Sequence, residues 1–199
     1  MPDWEQDSAQ LRRNLKGVAK AVKASAQSRE RPTLDLIRQW HKALMEGLEA
    51  PKSFEEKRWR GQFRGERELE NVRVRVGALE GVSPERVHEA LETFAQKFKQ
   101  AIDLLDRTVG LGPQTPEQLR LVLQTAAWVH AEWVRIHPFV NGNGRTARLW
   151  ANWVLMRFGL PPFLRLRPRP AGEVYATAGR EAMKGNWEPT LRAFEAMLP

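Results

Sequence analysis

There is no cysteine in this chain. Disulfide frameworks and thiolate metal sites are excluded at the outset. No apolar run is long enough to span a bilayer. The first residues, Met1 to Glu5, lack the basic and apolar regions of a secretory leader. These two shortages make a cytoplasmic protein without a membrane role the expectation. No repeat and no low-complexity tract occurs. The most telling shortage is local: between Trp133 and Gly172 there is neither Asp nor Glu, while Arg135, Arg145, Arg148, Arg157, Arg165, Arg167 and Arg169 fall inside. The net charge of +8 is therefore unevenly placed, and a polyanion is implied near that segment. The run Arg165 to Arg169 is open to three readings: nucleotide steering, a nucleic-acid or acidic-partner contact, or a solvated loop.

What is present begins with bulk. The 199 residues, 42% hydrophobic and 28% charged, suit one domain with a substantial core. Helical periodicity predicts a helix over 4–28, with Leu11, Leu15, Val18, Ala19 and Val22 on one face, and a second over 34–48 capped by Thr33. His41 sits beside the second stripe and reads as structural. Residues 50–68 read as a charged loop. Val72, Val74 and Val76 then alternate with Arg73 and Arg75, a period-two strand, with Gly77 and Gly81 flanking a turn. Ser83 and Pro84 open a helix to about Asp106 that buries Val87, Leu91, Phe94, Phe98, Ile102 and Leu105. Thr115 and Gln118 have the form of a capping box for the next helix. That helix aligns Leu119, Val122, Leu123, Ala126, His130, Trp133, Val134 and His137, and His130 reads either as a brace for the loop beyond or as a core histidine. Two short helices are expected over 173–184 and 190–198.

The chemistry concentrates in residues 137–148, His-Pro-Phe-Val-Asn-Gly-Asn-Gly-Arg-Thr-Ala-Arg. Pro138 biases His137 away from helical geometry, so the preceding helix ends there. Gly142 and Gly144 permit positive φ and close approach of a ligand to the backbone. A helix starting near Gly144 aims its positive end and unpaired N–H groups at the loop, an anion site. Arg145 and Arg148 share one face of that helix, and their forked guanidinium groups match phosphate oxygens. His137 is the group able to take a proton near neutral pH. The residues alone read as a phosphate cradle with a general base at its lip.

This stretch resembles the signature of the Fic family, His-Pro-Phe-x-(Asp/Glu)-Gly-Asn-Gly-Arg-x-x-Arg, at every fixed position but one, where Asn141 replaces the acid. The resemblance extends in order over about residues 33–198, with 1–32 as an added N-terminal helix of one single domain. Trp40 to Leu44 is similar to the family's helix before its flap, Gly61-Gln62-Phe63-Arg64 to its Gly-x-Phe/Tyr-Arg, and Tyr175 and Gly185-Asn186 to residues near its end. The resemblance implies an all-α helical bundle with a small β-hairpin flap beside the site. Residues 72–76, Val72, Arg73, Val74, Arg75 and Val76, would align a target segment as an added strand, or form a small packing hairpin. The implied activity is transfer of AMP from ATP to a Ser, Thr or Tyr hydroxyl of a target protein, with His137 as base. Gly142, Asn143 and Gly144 would hold the α-phosphate, the Asn143 side chain assisting, and Arg145 and Arg148 the leaving pyrophosphate. Asn152 would line the nucleotide pocket or make an interhelical bond. Relatives that move the γ-phosphate carry Lys where this chain has Gly144, so AMP transfer is favoured. The family's acid binds Mg²⁺; Asn141 offers a neutral oxygen, so metal use is expected to be weakened. No inhibitory Ser/Thr-x-x-x-Glu-Gly/Asn helix is found: Glu30 is the nearest Glu, but Ala26 and Arg31 break the pattern, and a separate inhibitor protein or no brake is implied. The competing reading is a non-catalytic basic module that binds nucleic acid or a protein partner.

Overall fold

The computed structural model describes residues 8–49 and 58–198. The expected start of the first helix at 4–7, and the 50–57 part of the expected loop, lie outside the described residues. Within them the chain forms helices α1 (Ala9–Gln27), α2 (Leu34–Leu44), α3 (Pro84–Thr108), α4 (Pro116–Ile136), α5 (Asn143–Arg157), α6 (Glu173–Met183) and α7 (Glu188–Glu195), with one hairpin of β1 (Arg75–Val76) and β2 (Leu79–Glu80). The fold is the expected helical bundle with a small antiparallel hairpin, paired Arg75 with Glu80 and Val76 with Leu79.

The centre is α5. An ordinary surface helix buries one stripe; in α5 nearly every residue from Asn143 to Arg157 is buried. It packs between α1 and α4, with α2 touching it as well, while α3, α6 and α7 pack on α4. Trp133 of α4, Trp150 and Trp153 of α5 and Phe94 and Phe98 of α3 meet edge to face or tilted at the middle, with centroids 5.1–6.4 Å apart. Such pairs add about 0.5–1.5 kcal/mol each beyond the area they bury. α1 covers the other side with Leu11, Leu15, Val18, Val22 and Ala26, each large apolar side chain contributing roughly 1.5–3 kcal/mol when fully buried.

Local signals explain most boundaries. Ser8, Thr33 and Thr115 each accept a backbone N–H from the first turn of their helix. Pro84 and Pro116 sit in first turns, where a missing N–H costs nothing. Four expectations are corrected. α2 ends at Leu44 rather than 48, because Met45 leaves helical geometry and Gly47 takes φ +66°. The strand expected over 72–76 is regular only at Arg75 and Val76: Val72 is drawn toward the core, and Val74 pairs only through its carbonyl with Gly81 N–H at 3.1 Å. The side chain of Gln118 caps Gln114 N–H at 2.7 Å, one residue before the box partner expected. The last helix begins at Glu188 and stops at Glu195.

The α1–α5 contact fixes where Glu30 lies. Its carbonyl accepts from Arg157 Nη1 at 3.0 Å, at the C-terminal end of α5. Arg148 is nine residues up that helix, about 14 Å at 1.5 Å per residue. Glu30 is thus placed away from the motif arginines.

Candidate active site

α4 ends on His137, which takes the left-handed conformation (φ 53°, ψ 54°) as its C-cap. Pro138 forbids the helix from continuing, and the chain turns through Gly142 (φ +79°) into α5. Gly142 is needed for its φ and for space: a Cβ there would lie 3.0 Å from Met45 Cε and 3.4 Å from the His41 ring.

The loop's carbonyls are tied back into the protein. Arg64 Nη2 donates to Ile136 O at 3.0 Å, Arg64 Nε to His137 O at 2.8 Å, and Arg64 N–H to Pro138 O at 2.7 Å. Asn143 Nδ2 donates to Phe139 O and its Oδ1 accepts from Phe139 N–H, both at 2.8 Å. His41 Nε2 donates to Asn141 O, and Thr146 N–H to Gly142 O. The N–H groups of Asn143, Gly144 and Arg145 form the first helical turn, where no intrahelical acceptor exists. They are the anion-facing edge of the loop.

His137 Nδ1–H donates to Val134 O at 2.9 Å. That bond fixes the tautomer and leaves Nε2 as the proton acceptor. Burial of the ring holds its pKa below the ordinary 6.5, opposed by the Val134 bond and reinforced by the Arg64 charge. The ring is neutral, hence basic, at pH 7.

Both motif arginines are nearly buried. Arg145 Nη2 faces Asn141 Oδ1 at 3.4 Å, and its Nη1 faces Met45 Sδ at 3.8 Å. Arg148 donates from Nη1 to Tyr175 Oη at 3.3 Å and from Nη2 to Leu166 O at 3.0 Å. Its Nε is a buried donor with no acceptor among the described residues. Such a group costs about 1–3 kcal/mol until it is satisfied, and an entering phosphate oxygen would satisfy it. Gly144 leaves room beside it, since a Cβ there would point at Arg148 Nη1 from 3.5 Å.

Two expected ligand groups have other work. The Asn143 side chain is 2% exposed and spent on Phe139, so only its backbone N–H remains for phosphate. Asn152 donates from Nδ2 to Leu164 O at 2.8 Å and accepts Leu164 N–H at 3.2 Å. It clamps the segment after α5, so of the two readings offered for it the bond exists, but to that segment rather than to another helix. Asn152 also lines an apolar cavity of about 340 Å³ between α1 and α5, rimmed by Lys16, Lys20 and Lys23. Among residues read as structural, His41 turns out to hold Asn141, and His130 joins Tyr175 Oη at 2.9 Å inside the core. His130 thereby supports Arg148 through a shared hydroxyl, a link no local pattern announces.

Mg²⁺ does not fit these residues as a protein-held ion. Asn141 supplies one neutral oxygen, turned to a guanidinium, and no group of three or more His, Asp or Glu among the described residues is placed to hold a metal.

The family model described as Fic/DOC matches residues 31–155. The chain is 35% identical over 126 residues to protein adenylyltransferase fic-1 of Caenorhabditis elegans, a match taking in 62% of this chain and 21% of that protein. It thus spans about a fifth of the length of that curated relative. Its fold is similar to a Fic-domain-containing signalling protein from Bacteroides thetaiotaomicron, with TM-score 0.68 and 20% identity over 94% of this chain and 67% of that one. It is similar also to the BepC protein of Bartonella tribocorum, solved with bound AMPPNP, with TM-score 0.65 and 16% identity over 99% and 90% of the two chains.

Proposed function

The chain belongs to the Fic/DOC family, and from that premise we propose that it is a protein adenylyltransferase, moving AMP from ATP to a hydroxyl side chain of a target protein. The observation that carries this is the His137 tautomer, with Nδ1–H spent on Val134 and Nε2 left to accept, beside a helix N-terminus flanked by two buried arginines. The adenylyltransferase name of the nematode relative and the nucleotide analogue in the Bartonella protein support the same reading.

In this mechanism His137 Nε2 takes the proton of the target hydroxyl, a contribution of about 10²–10⁴-fold. The freed oxygen bonds to the α-phosphorus as the bond from that phosphorus to the α–β bridging oxygen breaks, and pyrophosphate departs. First-turn N–H groups of Asn143, Gly144 and Arg145 take the charge growing on the α-phosphate. Arg145 and Arg148 take that of the leaving group. The hairpin at 75–80 presents an edge to which an extended target segment can add. Any magnesium would be held mainly by the nucleotide's own phosphates, since among the described residues no group of acids is placed to cage it. Glu30 lies outside a motif and at the far end of α5, which supports restraint by a separate protein or no brake at all.

The test is incubation of the protein with α-labelled ATP and a cell lysate, beside a His137→Ala control. A labelled protein band that the variant does not give, and that γ-labelled ATP does not reproduce, is the expected result. Retention on polyanions with no labelled band would replace this reading with that of a basic binding module.

A further inference from the structure

Arg64 is 1% exposed, yet among the described residues no carboxylate is in direct contact with its charge. Burying an unpaired guanidinium costs several kcal/mol unless its donors are met. Here they are met by carbonyls from two separate parts of the chain. Nη1 donates to Val72 O at 3.1 Å and Nη2 to Val82 O at 2.8 Å, the residues that enter and leave the hairpin segment. Nε and Nη2 also donate to His137 O and Ile136 O, the end of α4. Gly81 seals the junction, since a Cβ there would stand 2.7 Å from His137 Cβ and 3.2 Å from Arg64 Nη2.

We propose that Arg64 is a positioning residue of the reaction: one buried guanidinium holds the hairpin that receives the target at a fixed spacing from the loop that carries His137. The proposal rests on the adenylyltransferase reading for its consequence in catalysis, and on the four carbonyl contacts for its geometry. Only a planar fork reaches both pairs at once. A lysine keeps the charge but has one nitrogen, so it serves one side and releases the other. The charge has a second effect. Arg64 from the loop before the hairpin is the cation that faces His137, Gly81 meets it from the hairpin, Val134 holds it from its own helix, and Glu85 at the start of α3 acts on Arg64 in turn.

The experiment compares Arg64→Lys and Arg64→Gln with wild type. The expected result is AMP transfer slower by roughly tenfold to a hundredfold in both, with ATP affinity held within about twofold. The acid limb of the rate profile should move to higher pH in Arg64→Gln alone, because only that variant removes the charge. Wild-type turnover in Arg64→Lys, or a rate loss matched by lost ATP affinity, would overturn the proposal. Gly81→Ala covers the case in which the Arg64 variants do not fold: it should slow transfer at unchanged ATP affinity, and full activity would count against the strut. Amide exchange reads the geometry without any reaction, so it separates this proposal from the functional one. In Arg64→Lys the hairpin and the His137 loop should exchange faster together, and loosening of neither would overturn the strut even if wild type proves inactive.

Discussion

His41 Nε2 lies 3.0 Å from the carbonyl oxygen of Asn141, a residue one hundred positions away in the chain. The other ring nitrogen accepts Gly61 N–H at 2.9 Å, and the ring stacks on Phe139 at 3.7 Å between centroids. One nitrogen must donate and the other accept, so the ring works only when neutral. Burial pulls its pKa from 6.5 to about 3, and does the same to His130.

Stability should therefore fall with acid. Below about pH 6.5 the unfolded chain takes up these two protons, while the folded chain refuses them until about pH 3. Each histidine then removes up to about 1.4 kcal/mol per pH unit across that window. Denaturant titrations at pH 7, 6 and 5 should show a falling midpoint, less steep in His41→Gln. Midpoints that coincide across the series would contradict the neutral-ring assignment.

His137→Ala should abolish AMP transfer and leave ATP binding near normal, since the ring sits at the lip of the cradle. In wild type the base must be unprotonated, so activity is present above its folded pKa and lost as pH falls through it. With that pKa lowered by burial, the acid limb should lie below 6.5 in a pH–rate profile. A limb above 6.5 would mean that another group titrates.

Arg148→Ala should weaken ATP far more than AMP. Charge-assisted bonds are worth about 1.5–3 kcal/mol each, and only ATP carries the outer phosphates. Calorimetry giving equal losses for both nucleotides would remove Arg148 from the pyrophosphate site. Tyr175→Phe, which takes away its hydroxyl support, should show a smaller loss in the same direction.

The two motif glycines should part company. Gly142→Ala forces a side chain into left-handed geometry against Met45 and His41, a cost of at least about 1–2 kcal/mol, and should lower the melting temperature. At Gly144 the same change meets only ordinary contact with Arg148. It should leave the melting temperature unchanged or raised while slowing AMP transfer, because the new methyl stands where phosphate approaches. Equal thermal losses in the two variants would refute the distinction.

Asn141→Asp should lower the Mg²⁺ concentration that gives half-maximal transfer, since Mg²⁺ prefers a carboxylate oxygen to an amide. The new charge also faces Arg145, so without metal the variant should bind ATP less well than wild type. Superimposable Mg²⁺ curves would show that residue 141 does not face the metal.

Much of this was readable in the sequence. The faces of α3 and α4 follow from spacing alone, as does that of α1 except at Ala19, which is exposed while Ala26 takes its place in the core; the motif places base, turn and arginines within twelve residues. What escaped reading is long-range. Nothing in Trp40 to Leu44 says that His41 will meet Asn141, and nothing near Phe63 says that Arg64 will serve four carbonyls from two segments. The partners of Asn143 and Asn152 escape the sequence for a related reason. A polar side chain in a motif looks like a ligand until the backbone groups it satisfies are known, and those depend on how the loop closes. The hairpin was overread because alternating valines signal a strand, but Val72 was drawn to the core instead.

The pairing of Asn143 with Phe139 bears on how such chains diverge. Phe139, Gly142, Asn143 and Thr146 are held by packing and by the closure of the turn, and the fold would suffer if they changed, whatever the chain is used for. His137 is held less widely: its Nδ1–H is tied to Val134, but its Nε2 has no structural duty in the turn and is the atom that the proposed reaction uses. A descendant released from catalysis would keep the asparagine and the glycines and let the histidine drift.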